Sequence, residues 1–442
     1  MPETKILTDT IDEPGLHTME VYERLGGYRS ARKALFDMTP EQVLEEIDSS
    51  GLRGRGGAGF AMGMKAGFMP KGDIEKYLCC NADESEPGAF KDRLLMQRNP
   101  HLLIEGMIIG AIAAEATRSF IFIRGEYELQ AKILDAAMVE AYAKGYLGKG
   151  IFDSETDLEM VVHRGQGAYI CGEESALLDA LEGKRGNPRL KPPFPANQGL
   201  YQGPTLINNV ETLCNCPMII EKGGEWFAAM GIDKSTGTKL VSVSGNVQRP
   251  GNYEVEFGTT GREIVAGLAG GPPAGRKVKC WFPGGSSAPV LLDEHLDLPY
   301  TFEDMKEAGS MVGSGSVIVV DDQQPIVPLA LRLAEFYRHE SCGKCVPCRE
   351  GTNWTVKLLE RIDEGEATPM DLEIMSEVQE NIMGNCLCVL GDSMAGPIRS
   401  MIKHFRPEFE QHIEHARAER DREAVPVFSA GELAASVEAG AA

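Results

Sequence analysis

The chain has 442 residues, more than one hydrophobic core organises, because cores stop growing at roughly 250–300 residues and the remainder divides into further domains. Its 43% hydrophobic and 25% charged residues are those of a soluble globular protein, and no run approaches the roughly 18 uncharged apolar residues that a bilayer-spanning helix needs. A net charge of −22 excludes nucleic acid and anionic lipid as partners over most of the surface, so membrane association is expected through another protein and not by direct insertion.

The opening stretch carries Glu3, Asp9, Asp12 and Glu13 where a signal or transit peptide needs basic residues, so the chain is expected to stay in the compartment where it is made. Eleven cysteines, an odd number without a secretion signal, point to reduced thiols and metal ligands instead of a disulfide framework. Residues 1–38 read as a polar, loosely held arm. Thr39-Pro40-Glu41-Gln42 then has the chemistry of a helix start, with Thr39 as N-cap, proline in the first turn and Gln42 closing a capping box, and Gly51 ends that helix.

Arg53-Gly54-Arg55-Gly56-Gly57-Ala58-Gly59-Phe60 contains a formal G-x-G-x-x-G. In the dinucleotide fingerprint such glycines follow a strand and open a helix, whereas here they follow a capped helix, so this is not a standard Rossmann turn. Dense glycines still let backbone amides approach a phosphate or a flat ring, with Arg53, Arg55 and Lys65 supplying positive charge; a mobile loop is the plainer alternative.

From Gly51 to about Glu221, apolar runs such as Tyr77-Leu78-Cys79-Cys80 and Phe120-Ile121-Phe122-Ile123 alternate with helical stretches such as Leu102 to Ala116 and Leu129 to Ala143. That rhythm implies an α/β domain over 39–238 with a largely parallel sheet. At a strand end, Asn81-Ala82-Asp83-Glu84-Ser85-Glu86 gathers carboxylates and an amide that suit sugar hydroxyls, a ribityl chain or a carboxamide, unless it is a solvated acidic loop. Gly165 to Glu174 repeats the plan of strand, glycines and carboxylates, and helix capping competes as the explanation for Glu173 and Glu174. Lys191-Pro192-Pro193-Phe194 and Asn208-Asn209 add a rigid aromatic step and paired amides.

Alternation at Val241, Val243, Tyr253 and Val255 around the turn Arg249-Pro250-Gly251-Asn252 opens a small β-rich domain, expected over 239–325, with a helix-like piece at Gly261–Leu268 and a β-grasp fold. Beyond Pro328 the apolar period is helical. A four-helix bundle is expected over 326–425, with helices opening at Thr368-Pro369 and Gly396-Pro397, followed by a frayed tail over 426–442.

Cys342, Cys345 and Cys348 stand at C-x2-C-x2-C, the spacing by which a loop holds three corners of a [4Fe–4S] cube, whereas zinc favours paired ligands in a tetrahedron. Spacing alone leaves Cys386 and Cys388 both open as the fourth corner. Cys79, Cys80, Cys171, Cys214, Cys216 and Cys280 read as small buried hydrophobes.

Together these segments resemble the NADH-binding subunit of respiratory complex I and its relatives, the diaphorase subunits of NAD-linked hydrogenases and formate dehydrogenases, over about nine-tenths of the chain. The resemblance implies a Rossmann-like flavin domain, a β-grasp domain and a helical bundle around a [4Fe–4S] cluster. It implies that FMN is cradled by Gly54, Arg55, Gly56, Gly57, Gly59, Lys65, Asn81, Asp83, Glu84, Gly172, Glu173, Asn208 and Asn209. NADH as substrate would meet Phe60, Phe68, Glu86, Glu174, Lys191 and Phe194. Cys388, before Val389-Leu390-Gly391-Asp392, would be the fourth cluster ligand, although Cys386 stands where the family usually has another residue. No catalytic side chain is implied, because hydride transfer to FMN needs alignment and not an acid or base. The implied activity is that of an NADH:quinone oxidoreductase. The implied partners are a thioredoxin-like [2Fe–2S] subunit and a large iron–sulfur subunit, on the cytoplasmic face of the inner membrane. Service to a hydrogenase or formate dehydrogenase is the alternative, and a zinc-stapled scaffold is the non-enzymatic one.

Overall fold

The computed structural model describes residues 3–72 and 74–423, so the expected tail lies outside the described residues. The helix Pro40–Ser49 begins as its sequence dictates: the Thr39 hydroxyl accepts from the Gln42 amide and the Gln42 side chain accepts from the Thr39 amide at 2.8 Å. Gly51, at φ +64°, turns the chain out of it.

Four strands, β1 (Tyr77–Ala82), β2 (Arg118–Ile123), β3 (Glu159–Arg164) and β4 (Thr205–Asn209), form an all-parallel sheet in the order β3-β2-β1-β4. The helix Pro100–Ala114 is apolar nearly all round and buried along almost its whole length. It crosses the helix Val210–Lys222 where Gly106 meets the Leu213 carbonyl, an approach that leaves no room for a Cβ.

A ribbon of β5 (Gly231–Ile232) and β6 (Ser235–Thr236) leads into a second sheet of β7 (Thr238–Gly245), β8 (Gly251–Glu256), β9 (Val278–Phe282), β10 (Leu291–Leu292) and β11 (Ser316–Asp321). Its order is β10-β9-β11-β7-β8, with β11 parallel to β7 and the other pairs antiparallel. The helix-like piece expected at Gly261–Leu268 is a π-helical turn, Glu263–Leu268, whose Ile264 and Val265 pack with Val241, Val243 and Trp281.

Four helices follow: Ile326–Glu340, Val346–Asp363, Pro369–Ile382 and Leu390–Glu423. The last one does not open at Gly396-Pro397 as expected. It begins at Leu390, and Pro397 lies two turns inside, where its missing N–H removes one rung without ending the helix.

Residues 3–38 are also not a loose arm. Helices Met19–Arg24 and Arg29–Phe36 place Met19, Tyr22, Tyr28 and Ala31 in the core. Buried Glu105 accepts from the Tyr22 hydroxyl (2.5 Å) and the Tyr28 and Ala31 amides (2.9 and 3.0 Å). Farther upstream, the Ile6, Leu7 and Thr8 amides all donate to Glu254 of β8 at 2.9–3.0 Å, so the arm straps the second sheet to the first. Its helices are only six and eight residues long, and their burial comes from partners distant in sequence.

The two sheets also share a buried ionic group. Glu211, in the helix after β4, accepts from Lys239 of β7 at 2.5 Å and pairs with Lys91 at 2.7 Å, and all three are at most 1% exposed. Burial alone would raise the Glu211 carboxyl, but the Lys239 and Lys91 ammonium groups hold it below the ordinary carboxylate value. Burial pushes the Lys239 ammonium down to about 7. Glu211→Gln would leave both cations without their shared carboxylate, and such a loss costs about 3–5 kcal/mol. Denaturant unfolding is expected to show a correspondingly lower midpoint; an unmoved midpoint would remove this group from the support of the interface.

Candidate functional site

Strand order reverses at β1, so the carboxyl ends of β1 and β4 open a crevice, the place where parallel sheets hold ligands. Asn81 stands opposite Asn209 and Cys80 opposite Asn208 across the two strands. Two buried polar atoms there have no partner among the described residues, Asp83 Oδ2 and Asn208 Nδ2. An acceptor and a donor left unpaired in one crevice cost several kcal/mol unless a ligand or water completes them. Burial raises the Asp83 carboxyl to about 7. Gly172 lies against Asp83, with room beyond its missing Cβ, and its carbonyl accepts from Asn81 Nδ2 at 2.8 Å.

The glycine loop arches over from Arg53 to Ala61, pinned by the Gly54 amide on the Phe60 carbonyl at 2.8 Å. A Cβ on Gly56 would strike Asn209 at 2.8 Å and one on Gly59 would strike Phe302 at 2.6 Å, while Gly57 faces open space. The loop is thus held on two sides and open on one. Polyol, phosphate and flat-ring chemistry suits these donors and acceptors, so the crevice fits FMN.

Several residues expected to face the flavin are engaged elsewhere. The Arg55 guanidinium is 1% exposed, points away from the crevice to the Thr236 and Thr238 carbonyls (2.8 and 3.1 Å) and lies over Phe257. Its amide donates to Thr212 at 2.8 Å. Arg55 is therefore a clamp between the glycine loop and the second sheet, its guanidinium satisfied by the carbonyls behind the loop. The Glu84 carboxylate accepts from the Lys91, Asp92 and Arg93 amides at 2.8–3.0 Å and so caps the helix Asp92–Arg98. Glu173 likewise caps the helix Glu174–Leu181 through the Ser175 and Ala176 amides. The Asn209 side chain caps the following helix and donates to Asp92 at 2.6 Å.

Next to the loop, Phe60 (48% exposed) and Phe68 (57%) present rings 6.3 Å apart, and Phe194 is 55% exposed. Exposed aromatic rings at a crevice mouth are stacking surfaces for flat rings. Glu86 is half-buried and accepts from the Tyr169 hydroxyl at 2.7 Å and the Ser287 amide at 2.8 Å; desolvation raises its pKa. The loop Gly285-Ser286-Ser287 and Tyr169 were not expected from the sequence. The run Pro283-Gly284-Gly285-Ser286-Ser287 after an apolar strand was the available signal for the loop, while Tyr169 lies within the Gly165 to Glu174 motif without being singled out there.

Lys65 and Lys191 converge on Glu174 at 2.9 and 2.8 Å, and Lys191 also reaches Glu173 at 2.9 Å.

In the bundle, a cavity is lined by Cys342, Cys345, Cys348 and Cys388, with Ile170, Pro188 and Leu390. Gly343, at φ +74°, makes the turn between the first two cysteines, and Cys345 and Cys348 stand at the start of the helix Val346–Asp363. That helix end directs positive partial charge at an anionic group. Cys386 does not line the cavity; its thiol lies beside Cys348, the Ile382 carbonyl (3.6 Å) and Gly391. Among the described residues no three His, Cys, Asp or Glu side chains gather about a single-ion centre. A ring of thiols around a cavity is the donor set of a multi-iron cube. The other six cysteines are buried, as expected.

Burial alone would raise the Glu174 carboxyl, but Lys65 and Lys191 lower it from 4.5 to about 2. A depressed carboxyl contributes stability above its unfolded pKa and loses it as pH falls through the folded one. The stability gap between wild type and Glu174→Gln is therefore expected to be full near neutral pH and to close as pH falls from about 4.5 toward 2; chemical denaturation across that range measures it.

Family models match most of the chain: a Nuo51 FMN-binding domain at residues 47–218, an SLBB domain at 240–291 and an NADH-ubiquinone oxidoreductase-F iron-sulfur binding region at 328–412. An NADH-quinone oxidoreductase-F protein of Rhizobium meliloti (strain 1021) is 52% identical over 413 residues, covering 93% of this chain and 98% of the relative. Its counterpart in Escherichia coli (strain K12) is 46% identical over 416 residues, covering 93% and 94%. A solved NAD+-reducing [NiFe]-hydrogenase in the H2-reduced state matches with a TM-score of 0.81 and 36% identity, covering 93% of this chain and 67% of that one. Full-length identity at this level, over the same flavin, SLBB and iron–sulfur regions, shows that the chain belongs to the NADH-quinone oxidoreductase-F family.

Proposed function

We propose that this chain oxidises NADH at the crevice and passes electrons through the bundle to partner subunits toward quinone. The observation that carries the reading is the pairing, in one chain, of a crevice holding the unpartnered Asp83 and Asn208 atoms with a four-thiol cavity. Held in the crevice, FMN would supply the acceptor for the NADH hydride and release of electrons one at a time, and a [4Fe–4S] cluster among the cysteines would supply the one-electron acceptor. The protein's part is placement. The open face at Gly57, the Gly172 backbone, Asn81, Asp83 and Asn208 hold the flavin, and Lys65 meets its phosphate. Phe60, Phe68 and Phe194 stack the substrate's rings, Glu86 meets the nicotinamide side, and Glu174 with Lys191 faces the adenine ribose. Glu84, Glu173, Asn209 and Arg55 hold that cradle from behind. Cys342, Cys345, Cys348 and Cys388 ligate the cluster, and no side chain acts as a catalytic acid or base.

Identity of 46–52% to the NADH-quinone oxidoreductase relatives against 36% to the hydrogenase favours the quinone route over hydrogenase service. Among the described residues no helix is long and apolar enough to cross a membrane. In this reading the chain attaches peripherally through a thioredoxin-like [2Fe–2S] subunit and a large iron–sulfur subunit on the cytoplasmic face of the inner membrane, a placement supported by relatives named as subunits of an NADH-quinone oxidoreductase. The domains are taken as 39–238, 239–325 and 326–425, with residues 1–38 joined to the first.

Bleaching of bound flavin by NADH, with a cluster EPR signal, tests the reading; a colourless zinc protein would end it. The carboxylate of Glu174 repels a ribose 2′-phosphate, so wild type is expected to prefer NADH over NADPH and Glu174→Gln to lose much of that preference. Equal kcat/KM for both dinucleotides in both proteins would contradict this. Cys388→Ser is expected to abolish the cluster EPR signal and Cys386→Ser to keep it; the reverse pattern would exchange the two thiols.

A further inference from the structure

Two short pieces of chain have one end on the flavin crevice and the other on the cluster cavity. In the turn Tyr169–Gly172, Ile170 lines the cavity, while the Gly172 carbonyl takes the Asn81 amide and the Tyr169 hydroxyl donates to Glu86. In the second piece, Pro188 lines the cavity, and Lys191, three residues on, pairs with Glu173 and Glu174. Each piece is tied to the cysteine loop by one polar bond. The Tyr169 amide donates to Glu340 Oε2 at 3.0 Å, and Lys344 Nζ donates to the Pro188 carbonyl at 2.5 Å.

Glu340 is the last residue of the helix Ile326–Glu340 and directly precedes Ser341 and Cys342. A carboxylate is unfavourable at a helix C-terminus, where the unpaired carbonyls already carry negative partial charge. Helix stability therefore does not account for it, and its bond to another domain does. Packing between Tyr169 and the bundle is aromatic, with ring centroids 5.3 Å from Phe336 and 5.8 Å from Tyr337. These edge-to-face pairs orient the ring, while the charge-assisted hydrogen bond to Glu340 fixes the backbone of the turn.

We propose that Glu340 and Lys344 are positioning residues that clasp the cluster loop to the two connecting pieces and so set the separation across which electrons pass from flavin to cluster. This rests on the functional reading above. Neither residue touches the NADH side, so hydride uptake and electron exit respond differently to their loss.

The test follows flavin bleaching and cluster reduction after rapid mixing with NADH in the assembled complex. Amide hydrogen exchange at Tyr169 is measured in parallel as a readout independent of turnover. Glu340→Ala and Lys344→Met are expected to bleach flavin at the wild-type rate but to reduce the cluster about tenfold more slowly, the scale by which displacing reacting groups by a fraction of an ångström slows a reaction. Glu340→Ala also speeds exchange of the Tyr169 amide. Glu340→Gln, whose side-chain oxygen still accepts from that amide, restores both. Cluster reduction that keeps pace in both Glu340→Ala and Lys344→Met overturns the clasp. Loss of the cluster from Glu340→Ala overturns it too, since Glu340 would then be a support of the metal site. Absence of flavin bleaching or of a cluster signal in wild type would strike the functional reading instead.

Discussion

The structure depends on one buried carboxylate. Glu211 follows β4 by two residues, and its two oxygens serve Lys239 and the Leu240 amide of β7, while Lys91 joins from the far side of the crevice. A charge with no exposure is tolerable only when fully paired, so the second sheet can approach the first in few ways. That restraint reaches the site directly. Lys91 also pairs with Asp92, Asp92 holds Asn209, and Asn209 closes on the glycine loop at Gly56. The crevice wall is thus the outer edge of an ionic network whose centre is the domain junction.

The acidic residues around the crevice divide by what they touch. Glu84 and Glu173 cap helices and so orient the strand ends and the Gly172 turn. Among the described residues Asp83 keeps one oxygen, and Asn208 its amide nitrogen, without a protein partner. Glu174 stands between two lysines and stays ionised. Similar side chains, a few residues apart, therefore support the fold, present unpaired polar atoms, or hold a fixed negative charge. The difference lies in which backbone amides and cations each one meets.

Glu86 marks where three parts of the chain converge. It rises from the first sheet, takes hydrogen bonds from Ser287 of the second-sheet domain and from Tyr169, and Tyr169 in turn rests on Phe336 and Tyr337 of the bundle. Tyr337 closes the ring by meeting Ser286 at 3.0 Å. A proposed nicotinamide subsite built this way is sensitive to the placement of all three parts, which suits a protein whose chemistry is alignment.

Much was legible from local rules. The capping box at Thr39, the alternation of apolar runs and helices, and the triplet Cys342, Cys345 and Cys348 each concern residues within a few positions of one another, where periodicity, capping and loop closure act. The crevice motifs around Asn81 and Asn208 were visible for the same reason, as glycines and polar groups at strand ends. Tertiary structure alone decided the rest. Arg55 reads as positive charge for an anionic cofactor, whereas burial turns it toward the Thr236 and Thr238 carbonyls, and the N-terminal arm reads as loosely held, whereas Glu105 and Glu254 anchor residues 6–31. Cys386 and Cys388 are equivalent by spacing, and only the packing of Gly391 and Ile382 sets one beside the cavity lining and the other within it. Sequence determined which groups are present and how neighbouring residues fold; long-range burial and the pairing of buried charges determined which of those groups face the crevice and the cavity.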